Sequence, residues 1–206
     1  MALADKLKPF ASILQLDIMD GVFAAGISWP LMPDDFEGLA LPHAEEIFWE
    51  VHLMAKEPLE LGLNFIRAKA RRIIGHVEAL GDENAARDIC DSWHGAGAEV
   101  GLSLLLETPI SAIENLVHDV DEVQVMSIAA IGAQGRPFDV RAVARVRELR
   151  NRFPHIRIAV DGGVNAVHAR ELVEAGADRL CVGAAIMRAP DPKAAYDEIV
   201  RAAGHV

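Results

Sequence analysis

Apolar residues in this chain follow two rhythms. Short runs rich in Ile, Val and Leu, at 13–19 (ILQLDIM), 47–54 (IFWEVHLM), 71–77 (RRIIGHV), 99–105 (EVGLSLL), 122–127 (EVQVMS), 156–162 (IRIAVDG) and 179–185 (RLCVGAA), read as strands. Between them apolar residues recur every third or fourth position, as in Val140, Val143, Val146, Leu149 and Phe153, the stripe of a helix lying on a sheet. The punctuation agrees. Thr108 and Asp191, each followed by proline, have the form of an N-cap and first-turn pair, while Gly176 and Gly204 stand where a left-handed C-terminal cap is expected. The fragments AGAE (96–99) and AGAD (175–178) each close a helix just before a strand. Strands alternating with helices imply a parallel sheet, and this many consecutive units predict an α/β fold, the (β/α)8 TIM barrel. The strand runs number seven, not eight, and residues 1–12 read as the tail of a helix, so the first strand is missing or replaced. Residues 1–206 read as a single barrel domain without linker or low-complexity segment.

Side chains alternate along a strand, which sorts the residues by face. Gln15, Asp17 and Met19 share one face of the first run, Glu50, His52 and Met54 one face of the second, and Gln124 pairs with Met126. Asp161 lies opposite Ile158 and Val160. The apolar faces must meet the helices, so the polar sets point into the barrel near the C-terminal strand ends, where barrel enzymes place their chemistry. A carboxylate taken out of water costs several kcal/mol unless it is partnered. Asp17 is therefore expected to meet His52 and Asp161. Two carboxylates and an imidazole suit a divalent metal site or an acid and base pair, or else a hydrogen-bonded network that only stiffens the core.

Glycines form a second group. Gly162 and Gly163 in VDGGV, with Gly183 and Ala184 in CVGAAI, fall just beyond the last two strands, where barrels bind phosphate on backbone amides. Residues 127–139 (SIAAIGAQGRPFD) read as a lid, Gly132 and Gly135 supplying mobility or further amides. Residues 22–45, with Phe23, Trp29 and Phe36, read as a long functional loop.

Composition narrows the classes. At 206 residues and 51% hydrophobic the chain is able to bury a full core, and it has no uninterrupted apolar stretch of the ~18–20 residues that a membrane span needs. The N-terminus lacks a long apolar leader, so a cytoplasmic protein is expected. A net charge of −11 repels nucleic acid and anionic membranes, so an anionic ligand must be held locally by amides or a metal. Cys90 and Cys181 fit no metal spacing and read as core thiols. His43, His94, His118, His155, His168, His205 and the RAKARR run (67–72) read as solvated surface.

The ordered series LDIMDGVF, WEVHLM, GHVEA, VQVMS, the loop after it, IAVDGGV and AGADRLCVGAAI resembles the motifs of the ribulose-phosphate 3-epimerase family, metal-dependent (β/α)8 enzymes, over about residues 13–190. The resemblance implies that Asp17 and Asp161 are acid/base catalysts and metal ligands, with His52 a further ligand. Gln15 stands where the family has a ligand histidine, and its carbonyl suits Mg²⁺ or Mn²⁺ better than zinc; zinc, manganese, magnesium and iron all remain open. Met19, Met54 and Met126 match pocket-lining methionines, His76 a supporting histidine, and Gly162, Gly163, Gly183 and Ala184 the phosphate loops, with Gly132 in the lid. The family's first strand and its serine have no counterpart, the lid lacks a Pro-Gly-Phe-Gly-Gly run, and FAAG (23–26) replaces a Phe-Val-Pro-Asn stretch. The implied reaction is inversion at C3 of a ketose phosphate by two aspartates through a metal-stabilised enediolate, in a homo-oligomer. Two alternatives stand: a non-catalytic sugar-phosphate-binding homologue, or an enzyme of the same barrel group acting on a different sugar phosphate. A decarboxylase of that group is disfavoured, because Met19 stands where it needs lysine.

Overall fold

The computed structural model describes residues 2–132 and 135–204. Seven strands follow one another in a single sheet: β1 (Ile13–Met19), β2 (Phe48–Met54), β3 (Arg72–His76), β4 (Glu99–Leu104), β5 (Glu122–Met126), β6 (Arg157–Asp161) and β7 (Arg179–Cys181). Each is parallel to the next, with helices in most of the crossovers, and the sheet curls into a nearly closed barrel. The helices are α1 (Ala2–Leu7), α2 (Pro58–Arg67), α3 (Glu83–Gly95), α4 (Arg141–Arg152), α5 (Ala166–Ala175), α6 (Ala184–Met187) and α7 (Pro192–Ala202). No helix among the described residues is long and apolar enough to cross a membrane.

β1 and β7 are the edges, with no ladder between them among the described residues. The sheet is thus open along a seam between them. α1 contributes to both cores: Ala4 joins the main one, while Leu7, like Leu180 and Val182, packs against the smaller cluster of Ala169, Ile186 and Ile199.

The strand boundaries follow the sequence pattern closely except at the last. Strand pairing of the 179–185 run stops at Cys181, and from Ala184 the chain turns into α6, because the ladder with β6 ends at the Asp161–Cys181 pair. Asp191 caps α7 through the Ala194 amide, and Gly176 closes α5 at φ 111°. Thr108 does not cap a helix: Pro109 precedes a 3₁₀ turn (Ile110–Ile113), and the Thr108 hydroxyl is drawn instead to the Glu78 carboxylate.

The core lies between the outward strand faces and the helix stripes. Val51, Leu53, Ile73, Val100, Leu102, Val123, Val125, Ile158 and Val160 meet Phe65, Trp93, Val146, Leu149 and Leu172; a large apolar side chain so buried stabilises by about 1.5–3 kcal/mol. The stripe read on α4 is buried at Val143, Val146 and Leu149, while Val140, at the helix start, is exposed. Trp93 is fully buried, and its indole donates to the Leu59 carbonyl. Gly62 is required beneath it, since a Cβ there would sit 2.4 Å from the indole nitrogen.

The inward faces are polar at both ends of the barrel. At the N-terminal ends of the strands Arg72 binds Glu50 at 2.8 Å, Glu99 at 2.6 Å and Glu122 at 3.3 Å. Arg179 binds Glu50 and Glu122, and Arg157 binds Glu99 at 2.6 Å. This ion network floors the barrel. It also corrects the reading of RAKARR as solvated: Arg72 is 3% exposed, because β3 begins there with inward parity.

Candidate active site at the barrel rim

Parallel register sets Asp17 beside His52 and Met126 beside Asp161, so residues far apart in sequence rise to the same level at the C-terminal ends of β1, β2, β5 and β6. Across the seam side the Gln15 amide donates to Asp17 Oδ1 and Asp161 Oδ2, each at 2.8 Å. His52 Nδ1 faces the same two oxygens at 3.4 and 3.5 Å. One ligand atom each from Asp17, His52 and Asp161 falls within 4.8 Å of the others, a spacing that could hold a metal ion. Asp17, His52, Asp161 and Gln15 are therefore brought together as the sequence indicated.

Two buried polar atoms in this group, His52 Nδ1 and Gln15 Oε1, have no hydrogen-bond partner among the described residues. A cation fits that arrangement. It would take His52 Nδ1 and an oxygen from each aspartate, and a turned Gln15 amide would add its own oxygen. As the amide lies here, its NH₂ group ties the two carboxylates together.

The charges respond to this packing. Burial alone would lower the pKa of His52, but the Asp161 and Asp17 carboxylates outweigh it and raise it to about 9. Burial tends to raise Asp17, yet His52 and the Gln15 amide together bring it below the ordinary carboxylate value. His76, next along the barrel, is pushed down to about 4, chiefly by burial. Its Nε2 lies 2.9 Å from His52 Nε2, and its Nδ1 lies 3.3 Å from Glu78. Phe23 from the loop after β1 packs on the His76 ring, with centroids 4.9 Å apart. Of the other two aromatics of that loop, Phe36 packs edge-on against Phe65 in the core and Trp29 is 65% exposed.

Met19, Met54 and Met126 share the inward parity of the polar set, and Met54 and Met126 are buried. Cys181 is inward too, beside Gln124, and both cysteines are free thiols. Beyond β6, Gly162 and Gly163 take φ of 120° and 67°, and a Cβ on Gly163 would lie 2.6 Å from the Phe138 nitrogen. The lid is seated on that glycine pair. Its base is tied by Ser127, whose hydroxyl donates to the Asp161 and Gly162 carbonyls. Ala133 and Gln134 of the lid lie outside the described residues, as does His205. Gly132 is not with the glycine pair: its backbone is pressed against Ala25 in the loop after β1, and its φ is 93°. Among the described residues the amides of Gly163 and Gly183 donate to no protein oxygen, which leaves them open to an anion.

Sequence reasoning missed Glu78 and Ser127. Glu78 stands two positions after His76 in GHVEA, close enough in sequence to have been paired with it. It missed partners of three histidines as well. His43 pairs with Asp5, His94 with Asp121, and His168 stacks on Phe138 at 4.0 Å, so these three are half-buried, whereas His118 and His155 are exposed.

Comparison with known proteins adds an independent line. The model of the ribulose-phosphate 3 epimerase family matches residues 3–187. The chain is 33% identical over 183 residues to the chloroplastic ribulose-5-phosphate-3-epimerase of Arabidopsis thaliana, covering 86% of this chain and 63% of that protein. It is 32% identical to the ribulose-phosphate 3-epimerase of Chlamydia muridarum, covering 82% of this chain and 74% of the relative. It is 29% identical to that of Bacillus subtilis, covering 95% and 88%. Among solved structures it superposes on 3-hexulose-6-phosphate synthase from Salmonella typhimurium with a TM-score of 0.72 at 16% identity, over 98% of this chain and 91% of that one. Orotidine 5'-phosphate decarboxylase from Pyrococcus horikoshii gives 0.64 at 19%, over 100% and 93%. These two likenesses speak for the barrel alone.

Proposed function

The chain belongs to the ribulose-phosphate 3-epimerase family, and from that premise we propose that it inverts the configuration at C3 of a ketose phosphate, with Asp17 and Asp161 as the two acid/base groups. The observation that carries the reading is the convergence of these two carboxylates, from β1 and β6, on one imidazole and one amide. Epimerisation next to a ketone requires removal of a proton from one face of the carbon and return of a proton to the other. Two carboxylates, one ionised and one protonated, perform both transfers and exchange roles with the direction of reaction.

The oxygens divide the labour. Asp17 Oδ1 and Asp161 Oδ2 are engaged by Gln15 and His52, while the second oxygen of each acid has no partner among the described residues and is available to the substrate. The inner oxygens, with His52 Nδ1, would hold a divalent cation. When bound, such an ion supplies Lewis-acid stabilisation of charge on the oxygens flanking C3. Met19, Met54 and Met126, on the same inward face, add no competing protons to the site. Gly162, Gly163, Gly183 and Ala184 receive the phosphate on backbone amides, and the lid over Gly163 excludes water.

A second reading, a sugar-phosphate-binding homologue that turns nothing over, is favoured by one observation: Gln15 replaces a ligand histidine and its NH₂ group bridges both acids. Incubation with ribulose 5-phosphate and other ketose phosphates in deuterated water, with Mg²⁺, Mn²⁺ or Zn²⁺, separates the two. Replacement of the C3 hydrogen by deuterium is the expected result. Absence of exchange with every pentulose and hexulose phosphate tried, despite binding, would leave only the second reading.

A further inference from the structure

Behind the rim lies a chain of polar side chains running from Glu78 through His76 to His52. His52 and His76 are both 0% exposed, and their Nε2 atoms approach to 2.9 Å. Two ring nitrogens at that distance need one proton between them and only one. His76 Nδ1 faces Glu78 Oε2 at 3.3 Å, and a carboxylate there accepts, so His76 carries its proton on Nδ1. Its Nε2 is then an acceptor. The proton in the 2.9 Å contact must therefore sit on His52 Nε2, and when His52 is neutral its Nδ1 presents a lone pair toward Asp17 and Asp161.

Resting on the metal site proposed above, we infer that Glu78 and His76 are positioning residues: the relay Glu78–His76–His52 fixes the tautomer of His52 so that Nδ1 is the metal-binding nitrogen. Glu78 is itself locked. Its Oε1 accepts from the Leu105 amide and the Thr108 hydroxyl, so Oε2 is the oxygen left for His76, and the side chain is only 19% exposed. Phe23 packs on the His76 ring and helps to hold the imidazole in line with the relay. Ligand histidines whose outer nitrogen is so oriented lose about 10–100-fold in metal affinity when the orienting group is removed.

The locked carboxylate makes a sharp test. In Glu78→Gln the Leu105 amide claims the side-chain oxygen, which turns the NH₂ group toward His76 Nδ1 and reverses every donor along the relay, ending with a proton on His52 Nδ1. In ¹⁵N-histidine-labelled metal-free protein held at a pH above about 9, where His52 is neutral, two-bond proton–nitrogen correlation should show the His76 proton on Nδ1 in the parent and on Nε2 in Glu78→Gln. Zinc titration should show affinity at least about tenfold weaker in the variant. His76→Phe keeps a ring between Phe23 and His52 but cuts the relay, and should weaken zinc comparably. His94→Gln changes a histidine that pairs with Asp121, outside the relay, and should change neither readout. A parent with its His76 proton on Nε2, a parent that takes up no zinc, or variants that bind zinc as tightly as the parent would overturn the inference. Neither readout needs a substrate, so failure of deuterium exchange alongside the expected tautomers and zinc affinities would sink the epimerase reading and leave the relay standing.

Discussion

The two ends of the barrel both bury charge, and they do so in opposite ways. At the floor Glu50, Glu99 and Glu122 are matched by Arg72, Arg157 and Arg179, each carboxylate held by a guanidinium. At the rim Asp17 and Asp161 share one imidazole and one amide, Gln124 reaches Asp161 only at 3.5 Å, and among the described residues His52 Nδ1, Gln15 Oε1 and Ser103 Oγ are left without partners. Arg179 Nε is the floor's lone orphan among the described residues. A network that closes on itself holds a fold together. One that leaves buried polar atoms unpartnered keeps them free for a ligand.

If that contrast is right, damage to the two ends should separate cleanly. The largest effect is expected at the rim, where Asp17→Asn or Asp161→Asn should slow C3 hydrogen exchange by about 10²–10⁴-fold. Urea melts of these variants above about pH 9, where His52 is neutral and its pairing with the acids no longer contributes, should shift little, because asparagine still accepts from Gln15; a collapse of stability there would put the rim in the same class as the floor. Next comes Glu50→Ala, which leaves Arg72 and Arg179 with Glu122 as their one shared carboxylate instead of two. It should destabilise the fold by about 3–5 kcal/mol in urea while zinc affinity of the folded fraction is unchanged.

A pH titration of metal-free stability sharpens the comparison. His52 is raised to about 9, so the stability it contributes is full below its unfolded value near 6.5 and is lost as pH climbs through 9, on the order of 3 kcal/mol. His76 is lowered to about 4 and acts the other way, costing stability as pH falls from 6.5 toward 4. Thermal melts of metal-free protein should therefore peak near pH 6.5, and His52→Gln should remove the alkaline limb. An alkaline limb that survives the substitution would place its origin outside the rim. The smallest effect is expected at Gly163, where φ of 67° and the nearby Phe138 nitrogen make alanine strained by about 1–3 kcal/mol. Gly163→Ala should weaken phosphate-ester binding more than it weakens zinc binding, which calorimetry reads directly.

Much of this protein was legible in its sequence because strand and helix rhythms are local. The alternation in LQLDIM and EVHLM assigned Asp17 and His52 to the inward face, and register then did the rest, setting them side by side. The seven apolar runs read in the sequence are the seven strands of the sheet among the described residues. What local pattern does not encode is which inward residues meet across the barrel. Glu50 and Arg179 are 129 positions apart, and only curling of the sheet brings them together, so Arg72 looked like part of a solvated basic run until its partners closed around it. The same holds at the rim. Sequence named Gln15 as a departure, but only the tertiary structure decided that its amide bridges two acids 2 and 146 positions away, because hydrogen bonds across a barrel depend on distances that no one-dimensional period contains.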